Sequence, residues 1–355
     1  MPRVLALLAV IVVACGTQTA EAPTPSPSPG QASPPPAPRY GVIDAPAAGG
    51  QSAMVQVISA TGQVLASVPR RGRAQITSSS SGGGAVAPEL PYESASDSLV
   101  YYLDGDSALK SLAPNGNRAD VAMLPGSSQV HVAFSVRPDA SRIAVSVMDY
   151  SAATPKLTLY VSDLGGGNRV NLLSSTGIYV WPVGWHAANI VVAVGPAFVQ
   201  QGAENPYTAF AGYQLIEPAS GRRVSDVCTD GAPIGPLTPA GSLCSSAGGL
   251  SVAAYDGSSR PLGAAFGPSC LALSPAGTTV ACGTNPITLV GPDGRIKKTT
   301  AKGFAQGWTD EQELIFASTP GGLQAPRLSV YDLRSSTVLE TGAAGNFVAV
   351  LPGGL

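Results

Sequence analysis

From Tyr40 onward the chain repeats one device: a short apolar run, a Gly/Pro/Asp/Asn turn, and a second run that opens on a polar or basic residue. Runs such as VQVIS, LTLYVSD, YQLIE, ITLVG and LSVYD are rich in β-branched and aromatic residues and read as strands. They lead into the turns Ala60-Thr61-Gly62, Pro114-Asn115-Gly116, Gly165-Gly166-Gly167, Ala219-Ser220-Gly221, Asp256-Gly257-Ser258, Pro292-Asp293-Gly294 and Arg334-Ser335-Ser336. Seven hairpins follow, recurring every 36 to 55 residues. Between them lies a second turn family: Arg137-Pro138-Asp139-Ala140, Thr238-Pro239-Ala240-Gly241, Ser274-Pro275-Ala276-Gly277 and Trp308-Thr309-Asp310-Glu311. No apolar pattern of helical period and useful length interrupts the series.

Two hairpins per unit and a repeat near the roughly 40 to 50 residues of a propeller blade predict an all-β fold, a single β-propeller of four-stranded blades. The second turn family joins the first strand of a blade to its second, and the first family joins the third to the fourth. Six blades are predicted at 86–125, 129–175, 178–230, 231–267, 268–303 and 304–342, with residues 40–69 supplying most of another. The strand missing there matches Gly345-Asn346-Phe347-Val348-Ala349-Val350-Leu351-Pro352-Gly353, which is expected to pair beside the N-terminal strands. That pairing closes a ring of seven blades and leaves no exposed sheet edge at the seam. The alternative is a six-bladed ring, because the glycine-rich stretch from Ser78 to Gly84 weakens the second unit.

The segment Phe134-Ser135-Val136-Arg137-Pro138-Asp139-Ala140-Ser141-Arg142-Ile143-Ala144 resembles the hairpin of TolB-like and WD40-like propeller repeats, in which Phe-Ser-Pro-Asp-Gly leads into an apolar strand. The resemblance covers residues 40–355 and implies the fold while remaining nearly silent on function. The versions at Trp185-His186-Ala187 and Trp308-Thr309-Asp310 lack the proline.

The residues before Tyr40 set an address. Met1-Pro2-Arg3 precedes an apolar run from Val4 to Ala14, too short for the roughly 20 residues of a membrane-spanning helix and suited to a secretory signal peptide, 1–14. The residues Val12-Val13-Ala14-Cys15-Gly16 resemble a bacterial lipobox, which implies cleavage before Cys15 and a diacylglyceryl group on its sulfur. Two acyl chains suffice for stable anchoring. Residues 15–39, rich in Pro, Ser, Thr and Ala, are then an extended tether. The expected location is the extracytoplasmic side of the cell membrane.

Composition narrows the function. Hydrophobic residues make up 44% of the 355, enough for a large core, and the 42 glycines and 32 prolines agree with frequent turns. A net charge of -2 gives no field for nucleic acid, so none is expected as a partner. His131 and His186 are the two histidines, and no metal site or cofactor is expected. Asp104-Gly105-Asp106 lacks the further oxygen ligands of a calcium loop and reads as a turn. With Cys15 lipidated, Cys228, Cys244, Cys270 and Cys282 remain, an even number in an exported domain. Three pairings into two disulfides are possible. Cys270 and Cys282 flank the Ser274–Gly277 turn nearly symmetrically, which favours that pair, and Cys228 with Cys244 follows by elimination; the alternative is four reduced thiols. Trp185 and Trp308 occupy the blade position held elsewhere by Phe134, Leu237 and Leu273 and read as core, with Trp181 out of that register.

Connections on one face of the disk are tight, whereas the other carries Asp44–Ser52, Arg70–Ser94, Tyr150–Lys156, Gly195–Ala211 and Thr319–Arg327. Long loops on a rigid scaffold are where binding residues gather. In 195–211, Phe198, Gln200, Gln201, Glu204, Asn205 and Tyr207 are candidate ligand contacts. No catalytic motif appears. The function expected is therefore recognition of a protein, peptide or glycan by a monomeric, lipid-anchored propeller. The alternative is a glycoside hydrolase or lyase drawing on Asp139, Asp310, Glu311 or Glu313, which requires two carboxylates to converge at a channel mouth.

Overall fold

The computed structural model describes residues 38–45, 52–78, 84–200, 211–229, 231–263, 266–267, 269–291, 293–318 and 325–355. The expected signal peptide, Cys15 and the expected tether up to residue 37 lie outside them.

Seven four-stranded antiparallel sheets form a ring of blades, with no helix among the described residues. Blade one takes three strands from the N-terminal region, Tyr40–Ala45, Ala53–Ser59 and Val64–Arg70, and its innermost strand, Asn346–Leu351, from the far end. The seam runs in the register Tyr40 to Leu351 and Asp44 to Asn346. The expected closure and the count of seven are both found. Blades two to seven start from the inner strands Glu93–Ala95, Val130–Val136, Tyr179–His186, Ala232–Thr238, Cys270–Leu273 and Phe304–Asp310.

Burial falls from hub to rim. The inner strand Val130–Val136 is buried at all but its first residue, and the outer strands Ser259–Pro261 and Ile296–Lys298 are exposed throughout. Inner strands sandwiched between neighbouring sheets are apolar on both faces, and rim strands need not be. The two hub tryptophans stitch blades together in the same way. Trp185 Nε1 donates to Ser135 O in the preceding blade at 3.1 Å, and Trp308 Nε1 donates to Ala272 O at 3.2 Å. Both rings are buried, and so is Trp181, so the core reading of these side chains stands.

Both disulfides form. Cys270 and Cys282 face each other inside blade six, 3.8 Å apart at Cα. Cys228, just past the outer strand Arg223–Val227, reaches Cys244 in the second strand of blade five, 5.6 Å apart at Cα. The first cross-link is local to a hairpin, and the second staples two blades.

One boundary differs from expectation. The second blade begins at Glu93, not near residue 86, and is complete with four strands. Ala85–Val86 pairs instead with Val199–Gln200, and Thr77 bridges Val86. The described residues 71–78 and 84–92 thus form an excursion with hydrogen-bonding partners of their own, as buried backbone requires.

Candidate functional site

The two faces of the ring are built differently. Tyr40 pairs with Leu351, so the first strand enters from the face of the tight turns. Past Leu351 the segment 352–355 runs along that mouth of the hub. Gly353 N donates to Ser96 O in blade two at 2.7 Å, Gly354 lies against Pro138 of blade three, and Leu355 N donates to Trp185 O in blade four at 2.9 Å. His186 Nδ1 stands 2.8 Å from Leu355 O, and its ring stacks on Tyr255. Gly184 makes the seat: a Cβ there would lie 2.3 Å from Leu355 Cδ1.

On the opposite face the described residues 71–78 and 84–92 lie over the starts of the inner strands of blades three and four. Ile76, Val86, Ala87 and Leu90 of this excursion are buried, and Leu90 joins the apolar cluster of Met148, Tyr179 and Trp181 from blades three and four. Arg73 ties the excursion to itself by donating to Leu90 O at 2.6 Å and Pro91 O at 2.8 Å. His131 Nε2 meets Ala74 O at 2.8 Å and must donate to it, which leaves Nδ1 as a buried acceptor without a partner. Burial lowers the His131 pKa, opposed by the bond to Ala74, so the ring is neutral at ordinary pH.

Where the excursion leaves blade one, charge is buried. Asp44 holds Arg70 through both oxygens, at 2.7 and 2.8 Å from Nη2, and Arg70 Nε lies 3.4 Å from Glu93 Oε1 in blade two. Tyr92 sits between two guanidiniums, 3.6 Å from Arg70 and 4.1 Å from Arg73. Burial raises the carboxyl pKa of Asp44 against the pull of Arg70. For Glu93, burial and then the charge of Asp44 raise it well above the ordinary value. Just outside, Asp104 accepts from Arg71 N and Nε and pairs with Lys110 at 3.2 Å. Burial opposes its ionisation, but the hydrogen bonds from Arg71 and Lys110 outweigh that and bring its pKa down to about 2. Two cavities, of about 500 and 410 Å³, open on this junction and share Ser52, Arg70 and Arg71. The Asp104–Gly105–Asp106 turn therefore anchors the excursion: Asp106 accepts from Ala74 N at 2.8 Å, and Arg71 O accepts from Gly105 N.

Of the candidate ligand contacts, Phe198 is half-buried edge-on to Tyr150 at 5.2 Å, and Tyr150 donates to Ala197 O. Gln200 is exposed and pairs with Ala85 through the backbone. Gln201, Glu204, Asn205 and Tyr207 lie outside the described residues. The four carboxylates of the enzyme alternative shape hairpins. Asp139 accepts from Ser141, Asp310 from Gln312 N, Glu311 from Ala276 N and Thr278, and buried Glu313 from Thr309. Glu313 stands close to Asp310 and Asp332, and burial, with their charges added to it, raises its pKa; a second converging pair, Asp44 with Glu93, was not among the candidates, and Arg70 lies against both. The sequence signal of that second pair was the Arg70-Arg71-Gly72-Arg73 run and a glutamate opening an inner strand. Among the described residues, no group of three or more His, Cys, Asp or Glu side chains is placed to hold a metal ion.

No family model matches the chain, and no curated protein matches it either. Among solved structures it is similar to dipeptidyl peptidase 4 of Porphyromonas gingivalis, at 12% identity and a TM-score of 0.46, over 85% of this chain and 50% of that one. The chain thus spans about half the length of that peptidase. Oligogalacturonate lyase of Vibrio parahaemolyticus is similar at 7% identity and a TM-score of 0.44, over 82% and 96% of the two chains. Saccharomyces cerevisiae Sqt1 is similar at 10% identity and 0.43, over 82% and 81%. These likenesses assign no activity.

Proposed function

We propose that this protein is a membrane-anchored, extracytoplasmic lipoprotein of the TolB-like and WD40-like kind, whose monomeric propeller recognises a protein, peptide or glycan on its long-loop face. The observation that carries the reading is that the chain packs on hub strands at both faces, residues 71–78 and 84–92 over blades three and four on one side and residues 352–355 along blades two to four on the other. A propeller that works on a small substrate at its axis needs an open mouth with unpaired polar groups in it. Here the carboxylates Asp44 and Glu93 are paired around Arg70, Glu93 buried and Asp44 mostly so. Recognition then falls to the surface around the excursion and the 195–211 loop. The first strand enters from the opposite face, which leaves these loops free to meet a partner.

Pull-down from the native envelope with the 38–355 domain tests this, against a variant whose 196–210 loop is replaced by a short Gly-Ser turn. The expected result is a partner captured by the wild type and lost on loop exchange. A partner retained by the variant contradicts the placement on this loop, and turnover of a polysaccharide that Glu93→Gln abolishes would favour the glycoside hydrolase or lyase reading.

A further inference from the structure

Lysine is scarce in this chain, yet Lys297, Lys298 and Lys302 are three of its five. Lys297 and Lys298 belong to the outer strand of blade six, Ile296–Lys298, exposed at every position, and Arg295 and Lys302 on either side are exposed too. Arg295 Nε pairs with Asp293 at 3.1 Å. Residues 293–302 thus carry four cations and one carboxylate, a net of +3 in a chain whose total is -2. Among the described residues no hydrogen bond or ion pair engages the three ammonium groups.

An edge lysine can serve simply to stop strand-to-strand association. The other six blades show that this ring does not need it. Their outer strands, Val64–Arg70, Arg118–Met123, Val170–Ser175, Arg223–Val227, Ser259–Pro261 and Thr337–Ala344, contain no lysine. Where a cation does stand on such a strand it is often compensated, as Arg223 is by Asp226 and Arg70 by Asp44. Arg118 and Arg260 on the outer strands of blades two and five stand singly without an ion pair, whereas blade six gathers three such cations on one rim. Beside it Ile296 is 57% exposed, at the end of its strand next to the tight-turn face, the face from which the chain enters the ring. Cations flanking an exposed aliphatic side chain suit an interface where phosphates lie outermost and hydrocarbon begins just beneath.

We propose that the rim of blade six, from Arg295 to Lys302, docks on anionic phospholipid headgroups of the membrane. This rests on the anchored reading above. Each basic residue at an anionic surface raises partitioning about fivefold, so the three unpaired lysines together raise it about a hundredfold.

The test uses residues 38–355, which contain all seven blades, the closing strand and both disulfides and so form a complete folding unit. Sedimentation with phosphatidylcholine vesicles is compared with and without phosphatidylglycerol. The expected result is co-sedimentation with the anionic vesicles alone, reduced about a hundredfold by Lys297→Gln, Lys298→Gln and Lys302→Gln together, and less by Ile296→Ser, with an unchanged far-UV spectrum throughout. Absence of wild-type co-sedimentation, or a triple variant that sediments like the wild type, overturns the proposal. Retention on an acidic polysaccharide without vesicle binding also overturns it and assigns the rim to a soluble acidic partner. Palmitate labelling of the full chain and of Cys15→Ser tests the anchor separately, so failure of either idea is distinguishable from failure of the other.

Discussion

Blades three and four meet through Trp181, Trp185, Met148 and Leu159, all buried, with Ser146 Oγ donating to Val180 O across the gap. Blades one and two also share an apolar cluster, Val55, Val57 and Val68 with Val100, Tyr102 and Leu112, but one end of their junction is ionic: Arg70 and Glu93 are buried and Asp44 is mostly so. The apolar junction gains from area and tolerates small shifts, since dispersion and hydrophobic burial have no direction. The ionic junction gains little over an apolar one of the same shape and fails badly if one member is missing. The ionic end stands where the chain leaves blade one after Arg70, so its register also positions the segment that packs on blades three and four.

The comparison breaks first at the tryptophan. Trp181→Ala is expected to cost about 3 to 5 kcal/mol in denaturant unfolding, with no dependence on pH. Arg70→Ala, which leaves two carboxylates buried without their guanidinium, is expected to cost about as much at pH 8. Its cost should shrink in acid. The pKa values of Asp44 and Glu93 are raised in the folded state, so between the unfolded and folded values the native protein holds protons that the unfolded chain has released. Their contribution is complete below the ordinary carboxylate range and is lost as pH rises through the folded values. A loss independent of pH would show that Arg70 does not act on the titration of the two carboxyl groups. Next in size, replacing Cys228 and Cys244 together by alanine is expected to cost about 2 to 4 kcal/mol and to loosen blade four from blade five.

The smallest effect sharpens the contrast. Asp104→Asn is expected to cost about 0.5 to 1 kcal/mol in neutral solution, because its partner Arg71 is largely exposed and screened. Here the sign reverses. The Asp104 pKa is lowered to about 2, so its stabilisation is present above the ordinary aspartate value and is lost as pH falls toward 2. Urea midpoints of wild type and variant across pH 2 to 5 should converge at the acid end.

What was legible in the sequence was what is local. The seven outer hairpins, the Cys270–Cys282 pair and the closing strand at 346–351 each rest on neighbours in the chain or on a period that keeps repeating. The charged junction was not legible, because Asp44, Arg70 and Glu93 belong to two blades and meet only when the ring is shaped. The excursion escaped for the same reason: Ala85–Val86 finds its partner at Val199–Gln200, more than a hundred residues away, and a two-residue strand has no period to read. Gly184 gave no sign of its role either, since a glycine in an inner strand reads as a weakness until Leu355 is seen resting on it.

The central claim is that the chain packs on hub strands at both faces and that recognition falls to the long-loop face. Residue-resolved hydrogen exchange on the 38–355 domain tests it directly, at the amides of Gly353 and Leu355 on one side and Ala87 on the other, bonded to Ser96 O, Trp185 O and Ile76 O. The expected result is slow exchange at all three, approaching that of the blade strands. Exchange at the rate of an unstructured peptide at either mouth would contradict the claim and return the hub axis to consideration as a site.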